Sequence, residues 1–213
     1  MDYSHALGIE YRVVKDVEHG GQPARMVSGA RTYAAEAEEV WDAITNAERI
    51  PRWFLPVTGE LKLGGRYQLE ANAGGEITRC DPPAALAVTW EYAENVSWVR
   101  VRLEPVRNGT RLTLEHIMLK DEASEAHWKK YGPGATGVGW DLGFFGLELH
   151  LVSGDSVDEE QNDAWMASAE GKSFIRGCAQ AWGDAHVECG EVADVAQAMA
   201  AETANFYCGE HTH

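Results

Sequence analysis

In residues 85–92 apolar and small or polar positions alternate, so that Leu86, Val88, Trp90 and Tyr92 fall on one face of an extended chain. The same period of two brings Leu112, Leu114 and His116 together in residues 109–117. Residues 59–70, 75–81 and 97–104 are also extended in character. Turn material separates these runs: Gly64-Gly65, Gly74-Gly75, Asp81-Pro82-Pro83 and Asn108-Gly109. An Asn-Gly pair fits a type I′ hairpin turn. Short strands on tight turns predict an antiparallel meander. Upstream, residues 8–17 and 24–34 predict a further hairpin, with Gly20-Gly21 and Pro23 between its arms.

A helical period replaces this alternation in three places. In residues 37–45 Val40, Trp41 and Ile44 share a face, and a short helix over 47–54, capped by Asn46 and limited by Pro51, follows. Residues 137–151 form a longer helix. On it Gly139, Gly143 and Gly146 fall on one narrow stripe that ends at His150. Trp140, Phe144, Leu147 and Leu151 flank the stripe on one side, Leu142 and Leu149 on the other, and Asp141 and Glu148 point away from it. Each glycine costs a helix up to ~1 kcal/mol relative to alanine. Either a sheet closes on this bare backbone or the stripe leaves room for a ligand. After a polar linker at 152–163, helices return, with Trp165, Phe174, Ile175, Trp182, Val195 and Phe206 as apolar anchors. Helices before and after a meander make the chain α+β.

Charge narrows the partners. The chain of 213 residues carries a formal net charge of -16, of which residues 151–213 supply -10 (twelve Asp or Glu against two Lys or Arg). No basic cluster offers a surface to nucleic acid or an anionic membrane, so neither is expected as a partner. No basic start followed by an apolar core opens the sequence, and no apolar run is long enough to span a bilayer, which points to a cytoplasmic protein. Cys80, Cys178, Cys189 and Cys208 are widely spaced, as free thiols are.

Familiar catalytic and cofactor signatures are missing. Residues 132–137 match G-x-G-x-x-G, but neither a strand before them nor a βαβ unit around them gives a dinucleotide its cradle. His186 and Cys189, with His211 and His213, lack the paired spacing of a zinc site, and the pattern fits a surface histidine beside a buried cysteine. No metal or cofactor is expected. What remains is a supply of aromatics and two histidines at the ends of apolar faces. Trp53 and Phe54, in a proline-flanked segment, suit the mouth of a pocket.

Taken in order, EVWDAITNAERIPRWFLP, LKLGGRYQL, GEITRCDPPAALAVTWEY, GTRLTLEH and GVGWDLGFFGLELHL resemble the SRPBCC superfamily, which includes START domains and birch-pollen-allergen-like proteins. The branch it is most similar to is the bacterial group related to the C-terminal domain of the activator of the heat-shock-protein-90 ATPase. The resemblance implies a helix-grip fold, with a curved antiparallel sheet wrapped around a long helix and a cavity between them. It divides the chain into an N-terminal extension with an added strand (1–25), a helix-grip domain (26–152) and an acidic helical extension (153–213) packed on the domain or on a partner.

Relatives of this type include lipid and hormone carriers, cyclases and co-chaperones, and function does not transfer with the fold. The expectation is a binding module for a small, largely apolar molecule. Trp53, Phe54, Trp90, His116, Trp140, Phe144 and His150 would line its cavity, and Gly139, Gly143 and Gly146 would give clearance. A cyclase- or dehydratase-type enzyme using a pocket histidine is the alternative, or a co-chaperone-like interaction module. The tail helices would suit a homodimer.

Overall fold

A computed structural model describes residues 11–154, 156 and 159–210. Eight strands form one antiparallel sheet in the order β1-β2-β8-β7-β6-β5-β4-β3. They are β1 (Tyr11–His19), β2 (Gln22–Tyr33), β3 (Val57–Gly59), β4 (Arg66–Leu69), β5 (Gly74–Asp81), β6 (Ala85–Tyr92), β7 (Asn95–Val106) and β8 (Gly109–Leu119). The described helices are α1 (Ala37–Thr45), α2 (Glu122–Tyr131), α3 (Gly134–Ser153), α4 (Glu159–Ala167), α5 (Ala169–Glu188) and α6 (Ala193–Tyr207), with a 3-10 turn at Ile50–Arg52. This is the α+β architecture that the alternating and helical periods predict.

Two units divide these elements, and the chain passes between them inside β2 and inside α3. The first, here the sheet unit, holds Ala30–Met118 and Gly143–Val157. Strands β6 to β8 pair in continuous register: Val88↔Val99, Trp90↔Ser97 and Tyr92↔Asn95 between β6 and β7, then Val99↔His116 and Leu103↔Leu112 between β7 and β8. Val99, Leu103, Leu112, Leu114 and His116 therefore share a face, and all are buried. Two local expectations shift. Of the 59–70 run only β4 (Arg66–Leu69) is a strand; β3 ends at Gly59, and a turn through Gly64-Gly65 lies between them. The β7–β8 turn is Arg107-Asn108, because Val106 pairs with Gly109. Gly109 itself starts β8, where a side chain would run into the Tyr33 carbonyl.

The second, the helical unit, holds Met1–Gly29, Leu119–Leu142 and Asp158–His213. Asp121 and Ser124 close a reciprocal capping box at the start of α2. Helix α5 packs on α4, α6 and β1. Small residues set the α5–α6 contact: Ala196, Ala200 and Ala204 are buried one turn apart on α6, and Gly183 meets Ala200. Phe174, Ile175 and Trp182 anchor α5 as expected, whereas Val195 and Phe206 do not serve as core anchors. The alanine stripe is the buried face of α6, so those two larger residues look outward, 41% and 49% exposed. The stretch expected as linker is shorter too, since α4 already begins at Glu159. No described helix is long and apolar enough to cross a membrane.

Candidate functional site

The sheet unit carries an apolar wall that its own side chains only partly cover. Tyr67 and Leu69 on β4 and Ile77 on β5 form a buried cluster, and Phe54, Leu55, Leu86, Val88 and Trp90 pack against it while staying half-buried. Cross-strand pairing explains the shared face: Ile77 stands opposite Val88, and Trp90 two residues further along. The Tyr67 hydroxyl donates to the Thr89 carbonyl at 2.7 Å, so burial of the ring leaves no polar atom stranded. Trp53 and Phe54 reach this region on the 3-10 turn, with ring centroids 5.4 Å apart. The Trp53 Nε1–H donates to the Ala43 carbonyl of α1 at 2.9 Å and fixes the segment.

A polar pair ends the wall. The Ser97 Oγ lies 2.8 Å from His116 Nε2 and 3.1 Å from the Trp90 carbonyl. A carbonyl can only accept, so both contacts are satisfied when the hydroxyl donates to Trp90 and the imidazole Nε2–H donates to the hydroxyl oxygen. The Trp90 ring meets the His116 ring edge-on at 5.9 Å between centroids. Burial pushes the His116 pKa down to about 4, which keeps the ring neutral at physiological pH.

Within the same unit the second half of α3 contributes Gly143, Phe144, Gly146 and His150, all buried. The Tyr33 hydroxyl donates to the Phe144 carbonyl at 3.1 Å. At Gly146 the space beside the helix is taken: a Cβ there would lie 2.5 Å from the Trp53 carbonyl oxygen. That glycine admits protein backbone, not a ligand. His150 accepts at Nε2 from Arg49 Nε (3.2 Å) and Nη2 (3.1 Å), and the same guanidinium holds Asp42 and Glu39 of α1. Two donors on one ring nitrogen place its proton on Nδ1 and spend Nε2 on holding α1 in place.

The remaining expected residues, Gly139 and Trp140, lie in the helical unit, where Trp140 is half-buried. A Cβ at Gly139 would meet the Tyr207 hydroxyl at 3.0 Å, and that hydroxyl donates to the Ala135 carbonyl at 2.7 Å. Two residues earlier, a Cβ at Gly137 would overlap the Trp182 ring. The glycines at 137 and 139 thus serve contacts with α5 and α6.

The helical unit also holds a charged cluster that periodicity assigned to the outside. Asp141 is 1% exposed. Arg12 of β1 donates to its Oδ2 from Nη2 (3.0 Å) and Nε (3.3 Å), and Trp182 Nε1 of α5 donates to the same oxygen at 3.0 Å. Oδ1 has no hydrogen-bond partner among the described residues. Burial pushes the Asp141 pKa up to about 6 against the opposing pull of Arg12. The neighbouring Cys178 thiol is pushed up as well, by burial and then by the Asp141 charge, so it stays protonated. An acidic residue set between Trp140 and Leu142 is the one signal of this cluster in the sequence. Nearby, the expectation for the last pair reverses: His186 is buried against Trp128, 5.3 Å between ring centroids, and Cys189 is exposed.

A meander sheet with an apolar wall, a part-buried polar pair at its end and a long helix define a helix-grip α+β protein of SRPBCC type. More particularly, the family model described as "Activator of Hsp90 ATPase homolog 1-like protein" matches residues 34–148, and the chain belongs to that family. The crystal structure of CalU16 from Micromonospora echinospora is 29% identical, with a TM-score of 0.65 over 82% of this chain and 96% of that one. The solution structure of CalU16 aligns at 27% identity and a TM-score of 0.61 over 94% of this chain and 93% of that one. Protein MLL2253 from Mesorhizobium loti is 26% identical, with a TM-score of 0.54 over 62% of this chain and 99% of that one. No curated protein matches the sequence.

Proposed function

We propose that this chain binds a small, largely apolar molecule against the wall of its sheet unit. The carrying observation is that Leu86, Val88 and Trp90 share a face, pack on a buried cluster, and are still left part-exposed. Covering such a surface is favourable by about 25 cal/mol per Å² before the costs of association. The Ser97–His116 pair adds one polar group at the end of the wall, the arrangement by which apolar pockets orient a ligand. In this reading Trp53, Phe54, Trp90, His116, Gly143 and Phe144 stand nearest the ligand. Gly139, Trp140, Gly146 and His150 act by shaping α3.

Native mass spectrometry of the purified protein, set beside the same sample after denaturation, tests the binding. A reproducible added mass that denaturation removes is the expected result. Bare protein that also takes up no neutral apolar dye overturns it.

The Ser97–His116 contact also supports a second reading, a cyclase- or dehydratase-type enzyme with His116 moving a proton. A base that titrates near 4 is weak at neutral pH, so carriage ranks first. Incubating the released molecule with fresh protein separates the two. An unchanged mass is carriage, and loss of water that a His116→Ala variant no longer produces is catalysis.

A further inference from the structure

Strands β6 and β7 run past their neighbours. Pairing of β6 with β5 ends at Glu91, opposite Gly74, and pairing of β7 with β8 ends at Ser97, opposite Met118. The β6–β7 pair continues to Tyr92↔Asn95 and closes through Ala93-Glu94, so the tip of this hairpin overhangs the sheet. Tyr92 follows Leu86, Val88 and Trp90 at the period of two, which turns it to the same face as the apolar wall. Its side chain is 57% exposed, and it makes no hydrogen bond, ion pair or ring contact among the described residues. The turn that carries it is held in a demanding conformation: Ala93 has φ 53°, which glycine adopts without strain and alanine does not. A two-residue turn of this kind fixes the direction in which Tyr92 leaves the sheet.

We propose that the β6–β7 tip is the lip of the binding site, with the Tyr92 ring closing over the end of the ligand nearest the Ser97–His116 pair. The inference rests on the apolar-wall reading given above. Along β7, the position opposite Tyr92 (Asn95) and Ser97, opposite Trp90, are two residues apart, about 7 Å at the rise of a strand, so the Ser97–His116 pair stands beside the lip. A molecule held at that pair therefore lies within reach of the Tyr92 ring. A flat, apolar molecule lying along Leu86, Val88 and Trp90 meets that ring at the same end.

Diphenylhexatriene, a neutral rod that fluoresces when taken from water, is a suitable probe for a protein of this net charge. Its dissociation constant is measured on the wild-type chain and on Tyr92→Ala, Tyr92→Phe and Trp90→Leu variants, with the thermal midpoint of each recorded. The lip predicts that Tyr92→Ala weakens binding about fivefold to tenfold, the worth of one aromatic contact. Tyr92→Phe should restore it, and neither change should move the midpoint, because the side chain supports nothing in the fold. Binding that Trp90→Leu weakens and Tyr92→Ala leaves unchanged overturns the lip and spares the wall. No binding by the wild type overturns the wall and the lip with it.

Discussion

At the scale of single residues, His116 couples the stability of the sheet unit to acid. It is 6% exposed, and its pKa is pushed to about 4 by burial, below the 6.5 of an unfolded chain. The unfolded state therefore takes up the proton first as pH falls. Stability contributed by the neutral ring is fully present above about 6.5 and is lost through the interval down to about 4. The difference in pKa corresponds to about 3 kcal/mol over that window. A His116→Asn variant carries no such titration. Urea unfolding at a series of pH values should show the wild type losing stability relative to the variant as pH falls below about 6.5. Parallel curves would mean that the ring is solvated enough to protonate in the fold.

At the scale of elements, the glycines of α3 separate what a helical wheel can read from what it cannot. The wheel identified a bare stripe at Gly139, Gly143 and Gly146 and left open whether a ligand or the protein itself fills it. The Trp53 carbonyl at Gly146 and the Tyr207 hydroxyl at Gly139 answer for two of the three positions: protein does. The wheel assumed one buried face, and this is why it placed Asp141 outside. Helix α3 is buried on more than one side, since Gly137 and Asp141 both meet Trp182 of α5. Strands β5 to β8, by contrast, are legible to within two residues, because alternation and turn residues are local signals, whereas the 59–70 run is interrupted by its own turn residues. Gly137→Ala tests the close approach. A methyl group gains up to ~1 kcal/mol of helix propensity, but it must displace a buried indole, at a cost of about 1–3 kcal/mol. Net destabilisation is expected in a thermal melt, and a stabilised variant would show that Trp182 moves aside freely. The same logic applies to Gly146→Ala, where the obstacle is backbone.

At the scale of the whole chain, the Asp141 cluster joins three segments distant in sequence: the first strand, the long helix and the C-terminal extension. Only Asp141 falls within residues 34–148 that the family model matches, while Arg12 and Trp182 lie outside them. No local pattern pairs Arg12 with Trp182, so the sequence does not show this contact. The linkage here has the opposite sign to that of His116. A carboxyl raised to about 6 in the fold, above its ordinary 3.8, holds its proton more tightly folded than unfolded. Its contribution is therefore most favourable at low pH and is lost as pH rises through about 6, by about 3 kcal/mol. Over the shared interval the two groups oppose each other, and the wild-type profile alone hides both. Asp141→Asn removes one titration, so the stability of the wild type relative to this variant should fall as pH rises from about 4 to about 6. A difference that grows with pH would instead mean that the Arg12 ion pair outweighs burial. Asp141 would then be an ordinary salt-bridge partner that holds the extension more firmly at neutral pH than in acid.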